Sequence, residues 1–221
     1  MIREMDLSAD TDGRIYGLQD MAKLGCRDCE GCSECCRSVG DTIVIDPWDM
    51  YMLQQATGLS GNEIFASYLE MGVVDGIILP HMKMQEESGA CGFLNEEGRC
   101  GIHGFRPGFC RLYPLGRLYE KGDYKFILLK DQCRADRLTK VKISKWLGIR
   151  DEKSYHAFVL DWHKLLQKYQ EKYYKPENEE ALLEAREISL MLLKSFYLKD
   201  YDRDRDFYSQ YEERRMEAFG L

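Results

Sequence analysis

All nine cysteines of this chain, Cys26, Cys29, Cys32, Cys35, Cys36, Cys91, Cys100, Cys110 and Cys133, lie before residue 134. An odd number fits a closed set of disulfides badly. How such thiols are read depends on their redox compartment. Met1 to Asp12 is acidic and lacks the apolar segment of a secretory leader, and no stretch approaches the roughly 20 apolar residues that span a bilayer. The expected compartment is therefore the cytoplasm, with no membrane association. Cellular thiol reductants keep cysteines reduced there, which leaves metal binding or redox chemistry as their use.

Spacing sharpens this reading. In Cys-x2-Cys a tight turn lets two thiolates reach one ion while intervening N–H groups donate to sulfur. Here Cys26, Cys29, Cys32 and Cys35 step by three, and Cys36 follows at once. The competing reading, unconnected thiols in a reduced core, is disfavoured because free cysteines usually occur singly as small hydrophobes. Adjacent side chains in extended backbone point to opposite faces, so Cys35 and Cys36 do not easily share one tetrahedral ion. Two centres, or two irons of one cluster, suit them better. Cys26, Cys29, Cys32 and Cys36 also reproduce the x2, x2, x3 spacing of bacterial ferredoxins, although Arg37 stands in place of the proline and Cys35 is surplus.

A length of 221 residues can bury one core, or a core with a small appended unit. The net charge of -7 argues against a nucleic-acid partner, since phosphate binding needs clustered Lys and Arg. The remaining expectation is a protein or redox partner of unknown identity. No phosphate loop, dinucleotide glycine fingerprint or Gly-x-Ser-x-Gly elbow is present, so no catalytic residue is identified and enzyme status is open. The alternating acids Asp202, Asp204 and Asp206 read as a solvated charged face.

Along the chain, residues 1–25 read as an N-terminal arm, 26–138 as a cysteine-cluster metal-binding domain, and 139–221 as a helical C-terminal region packed on it. Thr42 to Ile45 reads as a short strand. Asp46 and Pro47 open a helix that stops at Gly58, and the Ser60/Glu63 capping box opens a second ending near Gly72. Ile77 to Leu79 reads as extended. Short hairpins are expected around Asn95 to Gly98 and from Leu115 to Leu129. Ile143, Trp146 and Leu147 share a helical face that stops at Gly148. Tyr155, Phe158, Val159, Trp162, Leu165, Leu166 and Tyr169 form the core stripe of an amphipathic helix, and a further helix follows Pro176. His156 and His163 fall on one exposed or boundary face and are not expected ligands. The fold class is α+β, mainly helical, with a loop-rich metal-binding part containing short β-hairpins.

The later cysteines lie in Cys91-Gly-Phe-Leu, Cys100-Gly-Ile-His103 and Arg106-Pro107-Gly-Phe-Cys110-Arg111-Leu-Tyr113-Pro114. With Cys29-Glu-Gly-Cys32-Ser-Glu-Cys35-Cys36, these segments resemble the YkgJ-type cysteine cluster family of zinc- or iron-chelating CxxCxxCC proteins over roughly residues 29 to 134. The resemblance implies a metal site of eight thiolates, Cys29, Cys32, Cys35, Cys36, Cys91, Cys100, Cys110 and Cys133, with Cys26 outside it. Eight thiolates supply two four-cysteine sites, for an iron-sulfur cofactor of the [4Fe-4S] kind or, alternatively, zinc. Either leaves about -2 charge per site. Arg27, Arg37, Arg99, Arg106, Arg111 and Arg134 lie near cysteines, and Arg106 and Arg111, inside the resemblance, are the candidates for cofactor contacts. His103 stands where the family has an aromatic residue; a hydrogen-bonding role is expected of it and of His81.

The function so implied is an iron-sulfur protein for electron transfer or for a cluster-dependent modification. An example of the latter is the methyl transfer of flagellin lysine methylases, whose cysteine cluster is similar. The alternatives are a zinc-stapled interaction protein and a metal-handling protein.

Overall fold

The computed structural model describes residues 6–25, 33–37, 42–133 and 138–220. Cys26, Cys29 and Cys32, with Arg27 and Arg134, lie outside the described residues. The protein is α+β and mainly helical, with small sheets of two or three strands.

The segment read as an arm supplies strands. Asp6 caps a single helical turn, α1 (Leu7–Asp10), by accepting the Ser8 and Ala9 N–H groups. β1 (Thr11–Tyr16) and β2 (Met21–Gly25) follow. β1 pairs antiparallel with β6 (Asp123–Leu129), which pairs in turn with β5 (Leu115–Glu120). β2 pairs with β7 (Thr139–Lys142), just before the helix at Ile143. Ala22 and Leu24 are buried while Met21 and Lys23 face out, the alternation of a strand with one covered face.

Asp46 and Asp49 form a reciprocal capping box at the start of α2 (Pro47–Thr57), with Pro47 at its first turn and Gly58 in the left-handed region past its end. Ser60 and Glu63 do the same for α3 (Gly61–Tyr68). That helix is shorter than the sequence suggests, because the chain turns extended at Leu69 to enter β3 (Leu69–Val74). β3 and β4 (Ile77–Met82) are joined by Asp75 and Gly76, both with positive φ (50° and 87°), as a two-residue hairpin turn requires. The strand expected at 42–45 is reduced to a bridge between Val44 and His81. Ile45 N–H donates to the Pro80 carbonyl, but Pro80 has no N–H to return, so the ladder does not extend there.

The helical part consists of α4 (Gly108–Leu112), α5 (Ile143–Leu147), α6 (Glu152–Tyr173), α7 (Glu179–Leu192) with a π turn at Leu193–Leu198, and α8 (Phe207–Phe219). Tyr155, Phe158, Val159, Trp162 and Leu165 of α6 are buried as the periodicity predicts. Phe158 stands edge-on to Tyr211 at 4.9 Å, and Trp162 to Phe196 at 5.3 Å. α8 emerges from the charged stretch: Asp206 accepts the Ser209 N–H at 2.9 Å, and Phe207, Tyr211 and Arg214 turn inward. Arg214 is only 4 % exposed, and its guanidinium donates to the carbonyls of Ser195, Lys199 and Asp200. Among the described residues no helix is long and apolar enough to cross a membrane.

Candidate metal centre

Two tight turns deliver Cys91 and Cys100. Met84 bridges Cys91 and Leu94 bridges Cys100, while Asn95 N–H donates to the Arg99 carbonyl and Gly101 N–H to that of Phe93. The expected loop at Asn95 to Gly98 therefore closes and sets the two cysteines side by side. The first cysteine group is tied to them directly. Cys91 N–H donates to the Cys36 carbonyl at 2.8 Å, and Arg37 bridges Ala90. Cys35 and Cys36 themselves lie in a 3-10 turn, Glu34–Cys36, closed by Cys36 N–H on the Ser33 carbonyl. Cys110 is the third residue of α4. The Tyr113 hydroxyl, just past that helix, donates to the Gln132 carbonyl and so links the neighbourhood of Cys110 to Cys133. All six described cysteines are partly buried.

The electrostatics place four of these thiols in one neighbourhood. Burial pushes the Cys91 thiol up, the Phe93 N–H on its sulfur opposes that, and Cys100 adds to the rise. Burial also raises the Cys100 thiol, Cys35 contributes to the rise, and the Ile102 N–H and the Arg106 cation lower it. Cys110 is pushed well above the ordinary thiol value by burial, then by Cys91, Asp49, Cys100 and Cys35. Cys35 is raised by its hydrogen bond to Cys36, by burial and by the Cys36 charge, with Arg106 opposing. Each thiolate, once formed, thus disfavours the next, and Arg106 is the cation that offsets Cys35 and Cys100. Among the described residues no group of three or more His, Cys, Asp or Glu side chains stands in a coordinating arrangement.

The donor chemistry nevertheless fits a thiophilic metal. In Cys-Gly-Phe and Cys-Gly-Ile alike, the amide two residues on points at the sulfur. A neutral thiol is a weak acceptor, whereas a ligating thiolate is stabilised by such donors.

The two candidate arginines differ. Arg106 Nη1 lies 2.7 Å from His103 Nε2 and 3.0 Å from Nδ1, so His103 meets a guanidinium as well as the cysteine turn. Arg111 is only 5 % exposed, and its donors go to the carbonyls of Arg106 at 2.9 Å, Leu147 at 3.2 Å and Gly104 at 2.5 Å, with Trp48 beneath the guanidinium. It clamps the turn that carries Arg106. His81 is buried in β4, opposite Glu70. His156 and His163 stack on Tyr124 and Tyr119, and His156 pairs with Asp123 at 2.8 Å, which joins α6 to the β5–β6 hairpin.

One residue close to the site escapes sequence reasoning. Asp49 is completely buried and accepts the Gly108 N–H at 2.6 Å. The only local signal is its place as the third residue of the α2 capping box, which explains its bond to Asp46 and not the one to Gly108.

A comparison with protein families matches residues 28–134 to the model described as "CxxCxxCC: Putative zinc- or iron-chelating domain". No curated protein and no solved structure matches the chain.

Proposed function

We propose, from the premise that residues 28–134 belong to the CxxCxxCC family of zinc- or iron-chelating domains, that this protein holds an iron-sulfur centre through cysteine thiolates and uses it for electron transfer. The proposed ligands are Cys29, Cys32, Cys35, Cys36, Cys91, Cys100, Cys110 and Cys133. The observation that carries the reading is the direct tie between the two cysteine groups, the Cys91 N–H on the Cys36 carbonyl at 2.8 Å and the bridge of Arg37 to Ala90, beside the turns that deliver Cys91 and Cys100. Mutually repelling thiolates in a partly buried site become favourable when a cation neutralises them.

Iron-sulfur is preferred to zinc because a tetrahedral zinc takes only four ligands, whereas the proposed set holds eight thiolates and includes the adjacent pair Cys35 and Cys36. A bound cluster supplies one-electron chemistry. The protein's part is to hold the sulfurs, direct the Phe93 and Ile102 N–H groups at them, and set Arg106 against the negative charge. Partial exposure of the cysteines suits a centre that exchanges electrons with a docking partner, rather than one that reacts with an enclosed substrate.

Anaerobic purification with metal analysis tests the proposal. The expected protein is coloured, contains iron and sulfide, and bleaches with dithionite; colourless protein with stoichiometric zinc would overturn the iron-sulfur assignment. Cys36→Ser and Cys91→Ser should each lower metal content, and Cys26→Ser should leave it unchanged. Full metal content in Cys91→Ser would end the claim that the second cysteine group ligates.

A further inference from the structure

The start of α4 has no cap of its own. Pro107, at its N-cap position, offers no side-chain acceptor, and a helix's first N–H groups need partners from outside the helix. The Gly108 N–H finds one 59 residues earlier in the chain, the Asp49 Oδ1 at 2.6 Å. The other oxygen of the same carboxylate accepts the Asp46 N–H at 3.1 Å, so both are held by backbone donors of separate elements.

Gly108 is boxed in on its remaining side. A β-carbon there would lie 2.6 Å from the Tyr155 hydroxyl and 3.6 Å from Asp49 Oδ1. Arg117 fixes that hydroxyl with a donor at 3.1 Å. Only a glycine lets the backbone come this close, and Cys110 follows two residues later.

We infer that Asp49 is a positioning residue of the metal centre, fixing through the Gly108 N–H where α4 begins and so where the Cys110 sulfur stands. The inference rests on the reading of Cys110 as a ligand. Asp49 touches no reacting group; it acts through the backbone.

The test compares Asp49→Ala with Asp46→Ala in the full chain, loaded with the metal it carries as purified. Asp46→Ala removes the side-chain cap of α2 but leaves the bond from Asp49 to Gly108, so it controls for general destabilisation. Outer-shell partners of metal ligands typically change affinity 10- to 100-fold. Asp49→Ala should therefore release metal to a chromogenic chelator at least about tenfold faster, and Asp46→Ala should stay within about twofold of the parent. Peptide-mapped iodoacetamide labelling should rise at Cys110 relative to Cys91 in Asp49→Ala, whereas simple metal loss raises both.

Asp49→Asn keeps one acceptor oxygen and should recover part of the metal retention; if the alanine variant does not fold, the same readouts on the asparagine variant carry the test. Equal behaviour of the Asp49 and Asp46 variants in both readouts overturns the inference. Selective Cys110 labelling with unchanged metal retention overturns the ligand reading of Cys110, and with it the link from Asp49 to the metal, while leaving the hold on α4 intact.

Discussion

Around α6, α7 and α8 the chain buries Leu192 and Phe196 completely and Tyr197 and Tyr211 to 1 % exposure, with aromatic rings meeting edge to face. From Met84 to Cys110 the contacts are of another kind: single bridges at Met84–Cys91 and Leu94–Cys100, one amide bond from Cys91 to Cys36, and few fully buried apolar side chains. The helical region is held mainly by apolar surface removed from water. The cysteine region is drawn into place by backbone hydrogen bonds, each of which contributes only about 1 kcal/mol net. Its stability is thus the part that a bound metal is best placed to supply.

If the two regions differ in what holds them, a cavity in the helical core leaves the cysteine region's metal content untouched. Trp162→Ala in α6 should cost about 3–5 kcal/mol in urea unfolding, the usual result for a buried aromatic, while metal per folded chain stays at the parent value. Metal content falling in step with stability would show that the regions do not separate.

A smaller effect sharpens the boundary of the helical region. Asp206→Ala removes the side-chain cap of α8 and should cost about 1 kcal/mol, read as a lower thermal midpoint with metal retention unchanged. No loss of stability would place α8 outside the cooperative core.

The smallest effect lies on the seam between α6 and the β5–β6 hairpin. His163, stacked on Tyr119 at 3.6 Å, has its pKa lowered from 6.5 to about 4, chiefly by burial, with the Arg117 cation adding to the effect. A depressed folded-state value means that the unfolded chain takes up the proton first. Stability from this group is therefore whole above pH 6.5 and is lost as pH falls towards about 4. Denaturation midpoints measured above and within that window should drop less for His163→Phe than for the parent. An equal drop would assign the acid sensitivity to other groups.

Much of this was readable along the chain where cause and effect are close in sequence. Asp46 with Pro47 and Gly58 mark α2, the α6 stripe marks a buried helix face, and the turn read at Gly122 and Asp123 falls one residue earlier, at Lys121 and Gly122, between two strands in register. β1, β2 and β7 were not readable, because Thr11 pairs with Leu129 and Met21 with Lys142, and a short alternation means little before its partner is present. α8 was hidden because Phe207, Tyr211 and Arg214 are spaced among charges that mask the inward face.

The candidate site divides in the same way. Five cysteines at short spacings from Cys26 to Cys36, with the other four also before residue 134, point by themselves to thiolate chemistry in the first part of the chain, because two sulfurs three residues apart can meet on one turn whatever surrounds them. Only the tertiary structure decides that Cys36 meets Cys91, that Arg111 spends its donors on the carbonyls of Arg106, Leu147 and Gly104, and that Asp49 holds Gly108. Those choices depend on which elements pack together, and packing joins residues by proximity in space, which short-range spacing does not encode.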